Sequence, residues 1–357
     1  MITRLDRYVA RYFLTSWAVS AVFFIGLYGV YDLFAHFDDL LEGLEAAELG
    51  ALDVARMYLY QMPTICVQVS PFVMVVAALV TMLRLQRHNE FMAMILTGRS
   101  TRRVIRPVLV LTAVLMLGLV WVQEVWAPSV ALQRDELRWS LLEKGKERVV
   151  NDIKLRDADG RLFVAHQYKV NSQVIGRLNV SFEDRYGRNV FVTGASATWD
   201  PTGSGWRIQD GRTEIRRPSD EAVIEEEAFF VQTDIRPEEL LAESREPFDL
   251  SYAEVLGLSE RYPGSRRYRL LRHYHVTFPL SVLLLVLLAV PFVIRLEPSR
   301  RMRGLGISIL ICMGFLIMDA SLRDFGSRGF VQPVLAAWLP VIVAGSLATV
   351  LFDSMDS

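Results

Sequence analysis

The chain has 357 residues, 52% of them hydrophobic, and a mean hydropathy of +0.27. That is too apolar for an ordinary soluble protein and points to the membrane class. The net charge of −1 conceals segregated charge, and no Lys/Arg-rich arm with interleaved aromatics appears, so no nucleic-acid partner is expected. Cys66 and Cys312 both fall inside apolar segments, which argues against a disulfide and against a metal site.

In chain order, six apolar segments approach or exceed the ~18–20 residues needed to cross a bilayer as a helix. They are residues 12–34, 58–83, 106–125, 276–294, 305–322 and 331–352. The first has a basic flank like a signal peptide. Its apolar stretch is too long for one, and no small-residue cleavage site follows, so it reads as a retained span. Arginines set the orientation. Arg4, Arg7 and Arg11 precede the first span. Arg84, Arg87, Arg99, Arg102, Arg103 and Arg106 fill the loop between the second and third, and Arg295, Arg300, Arg301 and Arg303 the loop between the fourth and fifth. All three regions are cytosolic if the N-terminus is, and an even number of spans returns the C-terminus to the same side.

The loop after the first span is acidic, with Asp32, Asp38, Asp39, Glu42, Glu45, Glu48 and Asp53 in its neighbourhood. A solvated face accounts for it better than a cation site. In the second span, Pro63 and Pro71 predict a kink or broken turn, with Gln61, Gln68 and Ser70 able to satisfy freed backbone groups. In the fifth span, Asp319 and Arg323 are spaced to pair on one helix face.

Between the second and third spans, Asn89 is placed to cap a short helix with its side chain, and Glu90 to favour the first turn electrostatically. Phe91, Met94 and Ile95 share one face, and Gly98 suits the position after the last turn. About two turns of helix do not hold in water alone, so this one must pack on something. The plain alternative is a connector that only satisfies its own caps.

Between the third and fourth spans lie about 145 residues that read mostly as strands. Alternation marks residues 161–168, 174–182, 190–199 and 228–233, with turns at 184–187 and 200–205. Residues 205–209 and 213–217 flank Asp210-Gly211, a hairpin signal. Regular short strands predict an all-β sandwich or jelly roll, with Phe163 and Val180 as inward-facing positions. From Phe248 the pattern turns helical, with Ser251 capping residues 252–260.

Catalytic signatures are missing. There is no GxxxxGK[ST], HExxH, GxSxG or CxxC. His273 and His275, two apart, would point to different helix faces. The reading is therefore a non-enzyme without cofactors.

Taken together, six spans, an inserted β-domain and a short helix between spans two and three resemble the LptF/LptG permeases of lipopolysaccharide export. The most specific match is Asn89, Glu90, Phe91, Ala93, Met94 and Gly98 on the family's coupling-helix pattern NELxAMxAxG, with Phe91 in place of Leu and with Leu96 and Thr97 softening the rest. Leu5-Asp6-Arg7-Tyr8, His275 with Pro279, Trp338 with Pro340, Pro237–Leu240 and Phe248–Ser251 match as well. The resemblance implies an α-helical membrane protein with a jelly-roll-like periplasmic β-domain between helices three and four. The expected layout is spans at 1–127 with the coupling helix at 85–98, the β-domain and return linker at 128–270, and spans at 271–357.

The resemblance also implies partners: a cytosolic ABC ATPase dimer, a second LptF/LptG-like permease, and a periplasmic jelly-roll bridge. ATPase coupling would fall on Asn89, Glu90, Phe91, Ala93, Met94 and Gly98. Lipopolysaccharide or a related lipid would pass Tyr31, Phe34, Asp319 and Arg323. The location implied is the bacterial inner membrane, with both termini cytosolic. Some members carry lysines near the outer end of the first span, where this chain has Asp32, Asp38 and Asp39, so a cationic contact would come from elsewhere, such as Arg323 or Arg328. Two other readings are a non-transporting scaffold and a force-transmitting ABC membrane protein; the latter places its large outer domain after the first span, not the third.

Overall fold

A computed structural model describes residues 4–46, 50–98, 100–142, 149–157, 159–184, 187–216, 223–245, 247–295 and 301–353. Glu48, Arg99, Arg217 and Arg300, and the side chains of Glu45, Arg295 and Arg301, lie outside what it describes. Six helices are long and apolar enough to cross a membrane. They are α1 (Arg4–Ala35), α3 (Ala51–Arg87), α5 (Thr101–Trp121), α9 (Arg266–Arg295), α10 (Arg301–Arg328) and α11 (Pro333–Asp353). α1, α3, α9 and α10 each contain a predicted span and extend beyond it, because polar residues continue a helix freely once it leaves the bilayer; the third predicted span runs past α5 to residue 125, and the sixth begins two residues before α11.

The spans form two groups. α1, α3 and α5 pack together, as do α9, α10 and α11, and α9 joins the groups by packing on α3 and α5. α3 lies in the middle, with 72% of its apolar stretch buried against 11% for α1 and 22% for α10. It runs unbroken through Pro63 and Pro71, so the predicted broken turn is absent. One reason is local: Pro71 cannot donate to the Val67 carbonyl, and the Ser70 hydroxyl does so at 2.8 Å.

The acidic loop after the first span is a short helix, α2 (Phe37–Ala46), packed on α6. α6 (Ala127–Leu142) continues α5 through one π-helical turn, Val122–Trp126. This helical extension was not foreseen. Short β6 also proves longer than expected, and β1 was not foreseen. The strands are β1 (Val149–Arg156), β2 (Leu162–Lys169), β3 (Val174–Glu183), β4 (Asn189–Asp200), β5 (Gly205–Arg216) and β6 (Val223–Gln232). Among the described residues they form one antiparallel sheet in sequential order, a meander, where a two-sheet sandwich or jelly roll was expected.

Asp210-Gly211 does not turn the chain. Asp210 takes φ +52° within a continuous β5, and the pairing with β6 shifts between Arg207 and Gly211. The residue pair that favours a left-handed backbone serves a β-bulge here. One face of the sheet is covered by α7 (Pro237–Ser244), α8 (Tyr252–Arg261) and the start of α9. Trp206, Phe163, Tyr168, Tyr262 and Tyr268 are fully buried there. Trp206 Nε1 donates to the Ile235 carbonyl at 3.0 Å, satisfying its one polar atom. Phe163 and Val180 belong to this closed core, not to an open lining. Ser251 caps α8 reciprocally: Glu254 N donates to Ser251 Oγ at 3.2 Å and Ser251 N to Glu254 Oε2 at 2.8 Å.

Candidate functional site: a short helix fastened to the spans

α4 (Glu90–Leu96) follows α3 after a sharp change of direction. Asn89 makes that change through its backbone, at φ +56° and ψ 12°, and its side chain makes no capping bond. The predicted side-chain cap is therefore corrected. Asparagine is needed here for its tolerance of the left-handed region. Gly98 ends the element at φ +83° and donates to the Ile95 carbonyl at 2.9 Å, as its position predicts.

Seven residues cannot sustain a helix by propensity, and packing supplies the rest. Phe91 and Met94 are each 6% exposed and sit in the same core as Val9, Leu85, Ile105 and Val293. Each such burial contributes about 1.5–3 kcal/mol where the alternative is water. The shared face of Phe91, Met94 and Ile95 thus turns towards the chain's own spans. Met92 and Leu96, one turn apart, are 59% and 80% exposed on the other side, with Ala93 beside them.

Polar contacts fix the same end. The Tyr8 hydroxyl donates to Glu90 Oε1 at 2.8 Å and lies 3.0 Å from the Tyr12 hydroxyl. The Arg84 guanidinium stacks on the Tyr12 ring at 4.3 Å. Gln86 Nε2 donates to the Val293 carbonyl at 2.8 Å, and Arg102 Nη2 to Asp353 Oδ1 at 3.1 Å. α1, α3, α5, α9 and α11 all hold the frame in which α4 sits. Tyr8 was visible in the sequence only as part of a family-like start; its partner is 82 residues away.

The four residues expected along a substrate path do not meet in one site. Tyr31 and Phe34, on α1, face outward at 71% and 76% exposure. Asp319 and Arg323, on α10, pair at 3.2 Å as their spacing predicts, and Arg323 stacks on Tyr274 of α9 at 4.5 Å. α1 packs on α3 and α5, whereas α10 packs on α9 and α11. Asp32 turns inward, accepting from the Tyr58 hydroxyl at 3.0 Å.

Two polar clusters at the sheet-bearing end were not anticipated. Arg134 on α6 forks onto Asp249, with Nη2–Oδ2 at 2.6 Å and Nη1–Oδ1 at 2.9 Å, and the Thr64 hydroxyl donates to Asp249 Oδ1 at 2.8 Å. In the π-helical turn, Glu124 accepts from Tyr252 N at 2.6 Å and lies 3.1 Å from His275 Nδ1. His273 instead approaches Trp338 Nε1 at 3.4 Å, so the two histidines have different neighbours, as their spacing implied.

These features define the class: a multi-span α-helical membrane protein with an inserted antiparallel β-sheet domain. The sequence profile of one family, described as "Lipopolysaccharide export system permease LptF/LptG", matches residues 7–354. The chain belongs to that family. Its members are permease subunits rather than enzymes, and membership carries a lipopolysaccharide-export role. Comparison with the curated proteins gives no match.

Proposed function

We propose that this chain is one permease half of an ATP-driven exporter that lifts lipopolysaccharide from the outer leaflet of the bacterial inner membrane. ATP would be hydrolysed on a separate cytosolic ABC ATPase dimer. The carrying observation is the two-sided α4: Phe91 and Met94 lock it to the spans while Met92, Ala93 and Leu96 face away. A force applied to that outer face reaches five spans through the contacts around it. Asn89 and Gly98 set the direction of the helix, and Glu90, held by Tyr8, lies at its exposed edge.

The arginine distribution supports a cytosolic side for α4 and both termini, and therefore a periplasmic β-domain. The working division is 1–127, 128–270 and 271–357. The exposed flanks of α1 and α10 suit a second permease, with Tyr31 and Phe34 on the enclosed lipid path. Within the described sheet, β1 and β6 are edge strands, and a free edge suits strand addition by a periplasmic bridge of jelly-roll type.

The test is co-purification of the full-length chain with its ATPase from native membranes. Leu96→Asp is expected to abolish association, and Glu90→Ala to weaken it, with the permease still folded and inserted. Undiminished association in Leu96→Asp would refute docking through α4.

A further inference from the structure

At the junction between sheet and spans, β1 alternates. Ile153 and Leu155 enter the domain core, while Lys154 and Arg156 point out of it. The outward pair faces the segment that opens α9. Lys154, Arg156, Arg266 and Arg267, with Gly264, Ser265 and Ser327, line a cavity of about 440 Å³. Leu155 and Leu162 complete its wall, and no carboxylate is among the lining residues.

The backbone is shaped to bring these cations together. A Cβ on Gly264 would stand 3.0 Å from Arg156 Cδ. Gly329 sits at φ +87°, and a Cβ there would overlap the Arg266 guanidinium. Arg156 Nη1 donates to the Gly160 carbonyl and Arg266 Nη1 to the Arg328 carbonyl, each at 3.3 Å. Bonds to carbonyls aim a guanidinium without cancelling its charge. Beside the cavity, at the end of α10, Phe325 and Phe330 are 46% and 78% exposed and meet edge-to-face at 6.1 Å. Phenylalanine has no polar handle, so exposed rings at a span end suit apolar contact.

We propose that this cavity binds a phosphate group, carried on the headgroup of an anionic lipid at the membrane surface on the β-domain side. Phosphate matches several convergent cations, guanidinium above all. The cavity volume lies in the range of small-molecule sites, which span about 300–1,000 Å³, and so leaves room for a sugar or glycerol beside the phosphate. The exposed phenylalanines face the region acyl chains would occupy. The site does not involve α4, so it stands or falls separately from ATPase docking.

The experiment is native mass spectrometry of the detergent-solubilised full-length chain titrated with synthetic bis-phosphorylated lipid A, with its dephosphorylated form, and with inorganic phosphate. Wild type should retain the phosphorylated lipid over the dephosphorylated one. A surface cation is worth about five-fold in binding anionic lipid, so Lys154→Gln with Arg156→Gln should weaken retention about 30-fold. The charge-keeping pair Lys154→Arg with Arg156→Lys should restore it. Arg212→Gln, exposed on β5 and outside the lining, should change nothing. Displacement of the lipid by millimolar inorganic phosphate would support a phosphate site but assign it to the free ion. Equal retention of both lipids, or no loss in the glutamine pair, would overturn the proposal.

Discussion

Asp249 is fully buried beside Thr64 of α3, and a charge there must be matched. Arg134, 6% exposed, matches it through two hydrogen bonds, and Asp135 shares the same guanidinium at 2.6 Å. Removing one partner of a buried pair costs about 3–5 kcal/mol. Asp249→Ala should therefore lower the thermal stability of the purified chain by that order, and should do so together with loosening of the sheet from the spans. A change within the ~1 kcal/mol of a surface pair would show that Asp135 suffices. A second prediction concerns Glu239, which accepts from the Tyr262 hydroxyl and pairs with Arg261 at 2.7 Å. Burial is the largest influence on it and holds its carboxyl above the usual range, with Arg236 and Arg261 opposing. The native state then keeps a proton the unfolded chain has lost. Stability is full below the ordinary carboxylate value and declines as pH rises through the raised one. Glu239→Gln should flatten that decline above about pH 4, the ordinary carboxylate value, while the part due to Asp157, also raised by burial, remains. Identical slopes in the two proteins would refute this. The sequence displayed Asp319 with Arg323 because one helix turn joins them. Arg134 and Asp249 stand 115 positions apart, and only the fold brings them together.

Elements were legible where one local property decides them. Apolar length placed the six spans, and Ser251 with Glu254 placed the start of α8. Asp210-Gly211 shows the limit: the dipeptide announces a left-handed backbone, but a neighbouring strand decides between a turn and a bulge. α6 was missed because it lacks a single apolar face once above the membrane, and it is helical by continuation from α5. α2 was read as a solvated loop, yet Leu40, Met57 and Leu141 bury together where it meets α3 and α6. A Cβ on Gly43 would overlap the Leu141 carbonyl oxygen. Gly43→Ala should thus force α2 away from α6 at a cost of about 1–3 kcal/mol, the usual range for overpacking. Hydrogen exchange should speed up at Phe37–Ala46 while the core of α3 stays protected. Unchanged protection of α2 would mean the two helices part without cost.

At the scale of the molecule, span number and charge distribution were readable because both are one-dimensional, whereas strand order and helix neighbours depend on long-range pairing. The consequence is an uneven bundle. α3 and α9 are inner columns, while α1 and α10 leave most of their apolar stretches open at opposite groups of the bundle. Lipid can cover such surfaces, but a permease of paired halves would use them as seams enclosing the cargo. Photo-crosslinking residues at Phe23 and Leu27 of α1, and at Leu310 and Ile317 of α10, probe this directly, since all four are more than half exposed. In native membranes these positions should give adducts with the mass of two permease subunits. The same probe at Leu117 of α5, 70% exposed, should capture lipid alone. Protein adducts from α1 and α10 would place the lipid path between subunits, bringing Tyr31 and Phe34 of one half towards the other. Lipid adducts at all five positions would sink the paired arrangement and return the lipid path to the single chain, whose own Tyr31 and Asp319 lie on separate helix groups and share no site.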